Sequence, residues 1–539
     1  MLWTKESNKN NALYVDAFSF KSLGSLNREY SQERKTAKNI SCAKSDTISR
    51  ERRLDGNQSF VKDDWLSASG LYNDSLCYAE PGSENISLAY ANRSACFLHL
   101  KKYAQCLVDI ELAESAGYPA HLMPKLQKRK ADCLKLIEEG AQEPDDRLKL
   151  SFEADKNFPC MVNVLKIEKN AKGNLIMVAK EDIGVGKTIA AEKSFATCLY
   201  SKFGWRCNIC MKEDANLKPC NKCNVAMFCS NECQASLIHE YECGQRFCRS
   251  TQTNGAIMNE MRMIFKAIEM FPNIDELMAF VEQAVQGDQK EIPQAFLDEK
   301  SKYRAFLKLP VNPTNTNKDD FWLITFCTYR MLMDMPKMNA MFKAKRHNRF
   351  LIHLIMQHVQ IMSKNSIRIR LCSVEAAPRK RTDVCTHTGM LKGYFEHSCA
   401  PNVLWIDNNG YSLYITTRPV KKGEQLFVTM FDLLSKPKAE RQRILWEQGN
   451  FLCVCSLCTG PEATPEQRKQ LLSDPLYRSG GFDCLDKCAT ILQKHGHGPL
   501  CKEMKNLLDG YCMQLRFKYT NSTNIRAWAE IVSDSLSDE

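Results

Sequence analysis

Cys207-x2-Cys210, Cys220-x2-Cys223, Cys229-x3-Cys233 and His239-x3-Cys243 follow one another in a single short stretch of this 539-residue chain. Four such pairs supply eight tetrahedral ligands, enough for two zinc ions. Thiolate and imidazole are the donors that Zn²⁺ prefers, and a pair two or three residues apart can bend round one ion. Joining the first pair to the third (Cys207, Cys210, Cys229, Cys233) and the second to the fourth (Cys220, Cys223, His239, Cys243) would interleave the two sites. Joining neighbours is the other arrangement, and spacing alone leaves both open. An ion with four protein ligands keeps no open position for water, so this module is expected to bind and brace rather than catalyse.

The chain around it is long enough for several domains, and a hydrophobic content of 44% suffices for a core in each. Residues 1–7 carry no apolar run and no small-residue cleavage site, and no stretch of about 18 apolar residues occurs. The expectation is a soluble intracellular protein that does not span a membrane. In a reducing compartment the 26 cysteines do not form a disulfide framework. Clustered cysteines then read as ligands, and Cys77, Cys96, Cys106 and Cys133 as small core residues. The net charge of +11 is spread along the chain and reads as a solvated surface. Within the cysteine-rich stretch Arg206, Lys212, Lys218 and Lys222 are offset by Glu213, Asp214, Glu232, Glu240 and Glu242. That leaves no basic face for phosphates, so a protein ligand is expected rather than nucleic acid.

Residues 1–60 are polar and basic with few apolar anchors, and are expected to be poorly ordered. Residues 61–140 read as helices: Leu88, Tyr90, Ala91, Ala95 and Leu98, then Tyr103, Leu107, Ile110 and Ala113, recur at three and four residues. The two runs part near Leu100-Lys101-Lys102, Gly117-Tyr118-Pro119 closes the second, and flanking helices are expected over 65–79 and 122–137. Across 155–200 the period changes. Leu175, Met177 and Ala179 recur at every second position, Gly184 and Gly186 mark a turn, and 189–195 reads as a second strand. After the zinc module at 201–245 comes a helical insert at 246–362, with amphipathic helices at 256–285 and 319–362 joined around Pro310 and Pro313. Strands return near 403–406, 411–416 and 425–430 within a segment at 363–435, and a second cysteine cluster occupies 436–460. Residues 461–539 read as helices carrying Cys484, Cys488, Cys501 and Cys512 on their apolar faces. His495 and His497 read as loop residues beside Gly496 and Gly498. The fold class is α+β and multidomain: a split β-rich domain interrupted by a zinc module and helices.

Glu396-His397-Ser398-Cys399-Ala400-Pro401-Asn402, followed by Gly423-Glu424 and Cys453-x-Cys455-x2-Cys458, makes the reading specific. It resembles the SET domain of protein-lysine methyltransferases, whose usual first motif is Asn-His-Ser-Cys-x-Pro-Asn. The zinc module, with Phe228 before Cys229, resembles the MYND finger, and 89–119 resembles a tetratricopeptide repeat. The chain as a whole resembles the SET and MYND domain-containing family, in the branch with N-terminal tetratricopeptide repeats. The resemblance implies the interleaved pairing in the finger. Cys453, Cys455 and Cys458 supply only three of the four ligands of a closed site, and the resemblance implies that Cys399 is the fourth. Three zinc ions follow.

It further implies S-adenosyl-L-methionine as cofactor, held by Lys172, Gly173, Asn174, Glu396, His397 and Phe451, and a lysine side chain of a protein as substrate. The finger is expected to take proline-containing peptides, and the protein to be cytoplasmic and nuclear. Asn92, Lys125 and Arg129 fall where some such repeats hold the terminal carboxylate of a chaperone tail, with an ordinary solvated basic face as the plain alternative. Two positions depart from the family. Glu396 stands where the family has an asparagine, and an ionised carboxylate only accepts hydrogen bonds. Met430 stands where a tyrosine would orient the attacking amine, with Thr429 or Phe431 there under a one-residue shift, and none of these carries a phenol. Methyl transfer needs a neutral amine held in line in a narrow, water-free channel, and losing one positioning group costs typically about 10²–10⁴-fold. Two expectations result: a SET-type methyltransferase with His397 and Met430 at its catalytic positions, or a catalytically weak adaptor working through finger and repeats.

Overall fold

Five helices, α1 (Asp46–Val61), α2 (Trp65–Tyr78), α3 (Glu84–His99), α4 (Tyr103–Ser115) and α5 (Met123–Glu138), pack in succession at the N-terminal side of a computed structural model. The structure describes residues 30–31, 41–140, 148–199, 206–212, 216–245, 255–288, 291–309, 311, 318–372, 381–408, 410–429, 433–449 and 451–519. Side-chain oxygens of Ser45, Asp64 and Ser83 accept the first free N–H groups of α1, α2 and α3. Lys101, at φ 59°, turns the chain between α3 and α4. Helix α1 corrects the expectation of poor order for residues 46–60, while 1–29 and 32–40 lie outside the described residues. Its anchor is a missing side chain: a Cβ on Gly56 would lie 2.6 Å from the Tyr72 ring, so the bare backbone is what seats that ring, and hydrophobicity is blind to it.

The β domain is assembled from chain segments far apart in sequence. Strands β1 (Leu165–Lys169) and β2 (Leu175–Ala179) form a hairpin, while β3 (Thr188–Lys193) and β4 (Ala196–Leu199) go to different sheets. The zinc module contributes only β5 (Lys218–Pro219) and β6 (Met227–Phe228). Beyond the helical insert come β7 (Ser366–Cys372), β8 (Arg381–Thr388), β9 (Glu396–His397), β10 (Val403–Asn408), β11 (Tyr411–Thr416) and β12 (Phe427–Val428). The sheet orders β10-β11-β3 and β4-β8-β7 each join a strand before the finger to strands after the insert, and β9 pairs with β12 in parallel. The expected strand at 189–195 is broken at Ser194, whose N–H goes to the Gly410 carbonyl. The expected strand at 425–430 is confined to Phe427–Val428 among the described residues, and β7 and β8 were not expected. Strand β2 is buried on both faces, Ile176 and Val178 included, so its period-two reading was too narrow.

Helices α6 (Asn231–Gln234) and α7 (Leu237–Glu242) complete the finger; α8 (Gly255–Glu269), α9 (Ile274–Gln286), α10 (Glu299–Leu307), α11 (Lys318–Met333), α12 (Pro336–Met341) and α13 (Lys345–Asn365) form the insert. Ile264, Phe265, Phe306 and Leu354 of the insert share one core with Met177, Ile189 and Tyr414 of the strands. At the C-terminal side lie α14 (Lys438–Gly449), α15 (Ser456–Thr459), α16 (Pro465–Ser473), α17 (Pro475–Arg478), α18 (Leu485–His495) and α19 (Lys502–Tyr519). Ile491, Leu492, Leu507 and Leu508 cover Leu404, Ile406, Leu413 and Ile415, so the sheet that leads into the cysteine motif is packed on both sides. Two expectations change here. His495 ends α18 instead of lying in a loop, 2.8 Å from Asp474, and Cys484 is exposed, whereas Cys488 and Cys512 are buried.

Two buried guanidinium groups lock the finger between its neighbours. Arg93 of α3, with no exposed surface, donates to both oxygens of Asp109 at 2.6 and 2.7 Å and to the Leu217 carbonyl at 2.9 Å. Arg262 of α8 does the same with Glu242, at 2.6 and 2.7 Å, and with the carbonyls of Thr197 and Asn208. Planar bidentate pairs in which every guanidinium nitrogen has a partner are the form in which buried charge is tolerated.

Candidate metal centres and cofactor cleft

Ligand atoms gather into three tetrads: Cys207, Cys210, Cys229 and Cys233; Cys220, Cys223, His239 and Cys243; and Cys399, Cys453, Cys455 and Cys458. Within each, all four atoms lie within 4.8 Å of one another. The finger pairs are therefore interleaved, first with third and second with fourth. Sγ–Sγ separations are 3.4 Å for Cys210–Cys229, 3.8 Å for Cys229–Cys233, 3.9 Å for Cys220–Cys243 and 3.6 Å for Cys399–Cys458. A tetrahedron with Zn–S bonds of about 2.3 Å has edges of roughly 3.8 Å, so the sets fit Zn²⁺ without rearrangement. Electrostatics agree. Hydrogen bonds from Cys210 and Cys399 respectively hold Cys207 and Cys455 far below the ordinary thiol range, while those involving Cys207 and Cys453 push Cys229 and Cys399 far up. Four thiols this close do not ionise together without a cation among them.

The turn between β1 and β2 is built on Asn170, whose Oδ1 accepts the N–H groups of Lys172 and Asn174 at 3.0 and 2.9 Å. Gly173 adopts φ 72°, open to glycine and leaving its backbone uncovered by a side chain. Strand β2 then runs beside 423–426: the Leu426 N–H meets the Met177 carbonyl, and Val178 bridges Gln425. Beyond this segment the chain enters β12, where Val428 pairs with His397. Glu396–His397 is thus joined through β12 to the segment that pairs with β2, the strand leading out of the Gly173 turn. Glu396 Oε2 accepts from Gln425 Nε2 at 2.9 Å. The His397 ring packs against Phe451, centroids 5.6 Å apart, and burial draws its pKa down to about 4, which makes it a neutral imidazole near pH 7. Asn402 staples the motif, donating to the Gln425 carbonyl at 3.0 Å and accepting from the Phe427 N–H at 2.7 Å. The catalytic position assigned to Met430, and Phe431 beside it, lie outside the described residues.

Residues 174–429 match the family model of the SET domain. The protein-lysine N-methyltransferase SMYD4 of Homo sapiens is 29% identical, over 35% of this chain and 33% of its own length; that of Danio rerio is 27% identical, over 38% and 30%. The SET domain and MYND-type zinc finger protein 6 of Schizosaccharomyces pombe is 21% identical, over 54% and 50%. The chain carries a SET domain and is similar to SET and MYND domain-containing proteins. The alignments span about a third of the length of the SMYD4 relatives.

Several residues that position the SET-domain cleft carried no sequence signal. Glu192 of β3 is buried beneath the turn that leads into Glu396, where its carboxylate accepts the N–H groups of Met390 at 2.6 Å and Leu391 at 3.1 Å. Burial raises its pKa to about 7 despite those donors. A Cβ on Gly389 would lie 2.8 Å from Glu192 Oε2, so the glycine admits the carboxylate. Around the third tetrad, Arg441 Nη2 donates to Cys458 Sγ at 3.5 Å, and Gln442 brackets Cys453 by pairing with both its N–H and its carbonyl. Partners of this kind orient metal ligands. In sequence they look like the polar face of α14.

Asn92, Lys125 and Arg129 line one cavity of about 520 Å³, with Asn57, Phe60 and Tyr72 on other walls. Arg129 already donates to the Ala91 carbonyl and Ser94 Oγ, and Asn92 to Asn57. Lys125 and Lys128 are exposed.

Proposed function

We propose that this chain is an S-adenosyl-L-methionine-dependent protein-lysine N-methyltransferase in which three zinc ions brace the cofactor cleft. One observation carries the reading: Cys399 joins Cys453, Cys455 and Cys458, and this junction folds Phe451 back onto His397. When bound, the cofactor supplies an electrophilic methyl group on a sulfonium. The chain's own residues do the rest. Backbone groups of Lys172, Gly173 and Asn174 approach the ligand, Glu396 accepts hydrogen bonds from it, and Phe451 with neutral His397 closes the pocket against water. The acceptor is a lysine side chain of a protein, in keeping with the similarity to the protein-lysine N-methyltransferases SMYD4.

The finger recruits proline-containing peptides in this reading. The cavity beside Lys125 takes the terminal carboxylate of a chaperone tail, supported by the convergence of Asn92, Lys125 and Arg129 on it. Residence in cytoplasm and nucleus goes with this set of partners. A second reading, a catalytically weak adaptor, is favoured by Glu396: a carboxylate stands in the cleft in place of an amide, with one oxygen already engaged by Gln425. Calorimetric titration with S-adenosyl-L-methionine separates the two. Heat of binding together with thermal stabilisation is expected, and the absence of both at millimolar cofactor removes the enzyme reading.

A further inference from the structure

Residues 41–43 lie along the finger as a ligand would. The side chain of Asn224, 1% exposed, donates to the carbonyls of Ser41 at 3.3 Å and Ala43 at 2.6 Å. Its backbone N–H donates to the Cys42 carbonyl between them, at 3.1 Å. Three successive main-chain acceptors are thus read by one residue that follows directly on the zinc-ligand pair Cys220 and Cys223. The side chains alternate as in an extended strand. Cys42 turns inward and packs on the cluster of Cys220, Cys223 and Val225, with its thiol 3.7 Å from the Gln245 carbonyl, while Ser41 and Ala43 face solvent. The chain is fixed separately a step later. Lys44 Nζ reaches the Cys77 carbonyl and the Ser45 N–H the Tyr78 carbonyl, where α1 begins.

We propose that Asn224 and the shallow hollow beside it form a peptide-binding site that the chain fills with its own Ser41–Ala43, so that a partner peptide binds the finger only by displacing this strap. The ligand class follows from the contacts. It is an extended segment recognised through its backbone carbonyls, with a small apolar side chain at the position of Cys42. Main-chain recognition with one shallow side-chain pocket is a recurrent mode of peptide capture, and a strap with two of three side chains in water opens locally at lower cost than the core beneath it. The inference rests on the finger taking protein ligands and is independent of methyl transfer.

The test uses the full chain, zinc-loaded and reduced, with a fluorescent peptide copying residues 38–46. Cys42→Trp cannot seat the strap in a hollow sized for a thiol. It is expected to bind the peptide at least about tenfold more tightly than the natural chain, and Asn224→Ala added to it is expected to abolish the gain. In the natural chain, millimolar peptide is expected to speed amide hydrogen exchange at 42–44 while leaving 45 and 225–228 unchanged. A folded Cys42→Trp chain that binds no better than the natural one, or binding that survives Asn224→Ala, overturns the proposal. Should Cys42→Trp fail to fold, unchanged exchange at 42–44 in the natural chain overturns it instead. Neither readout involves the methyl donor, so failure here and failure of the methyltransferase reading are told apart.

Discussion

At the scale of single residues, the proposed grip on the cofactor turns on Glu396. One oxygen is committed to Gln425, and the carboxylate has no donor to offer. Replacing it by asparagine restores one, worth about 1 kcal/mol or roughly a fivefold tighter Kd, and calorimetry is expected to show tightening. Weakening by the same factor would mean that the bonds accepted by the carboxylate outweigh the donor it lacks. Glu192 governs a pH dependence. Its folded pKa of about 7 lies above the ordinary value of 4.5. A raised folded pKa means that its contribution to stability is fully present below the unfolded pKa and is lost as pH rises through the folded one. Glu192→Gln mimics the protonated form, so the stability of the natural chain relative to this variant is expected to fall by up to about 3 kcal/mol between pH 5 and 8. Urea midpoints across that range check it, and a flat difference contradicts it. The departure at Glu396 was legible through the family resemblance, but its bond to Gln425 and the role of Glu192 were not, because each depends on a partner more than twenty residues away.

At the scale of elements, the hairpin of β10 and β11 touches the finger at Gly410. A Cβ there would come within 2.1 Å of the Cys210 carbonyl oxygen, whereas Gly423, at the same φ of 82°, has nothing within 4 Å. Gly410→Ala is expected to cost about 2–4 kcal/mol and to speed loss of one zinc equivalent to a chelator, while Gly423→Ala costs only about 1 kcal/mol of backbone strain. Equal effects of the two would show that the contact with Cys210 is unimportant. Arg93→Met leaves Asp109 buried without its cation and is expected to cost about 3–5 kcal/mol by thermal unfolding. Short-range patterns carried far at this scale. Ligand spacing within the finger, the turn at Lys101 and the helices of 65–138 depend on neighbours in sequence, which spacing and periodicity register. Helix α1 did not, since its packing uses a glycine. Strands β7 and β8 and the division of β3 from β4 did not either, since sheet membership is fixed by partners on the far side of the insert.

At the scale of the whole molecule, sulfur-rich segments act as fasteners between pieces that chain connectivity alone would leave apart. The finger is held by α3 through Arg93, by α8 through Arg262 and by the sheet through Gly410. The third tetrad ties the C-terminal side to the motif that bears Glu396 and His397. Its fourth ligand, Cys399, was legible only through resemblance to a family, because a lone cysteine in a loop carries no spacing. The most direct measurement is a titration of S-adenosyl-L-methionine into the natural chain and into Cys399→Ser, with the zinc content of each determined. The expected result is three zinc ions and cofactor binding for the natural chain, against two ions and no detectable binding for Cys399→Ser. Three ions and undiminished affinity in Cys399→Ser would contradict the account.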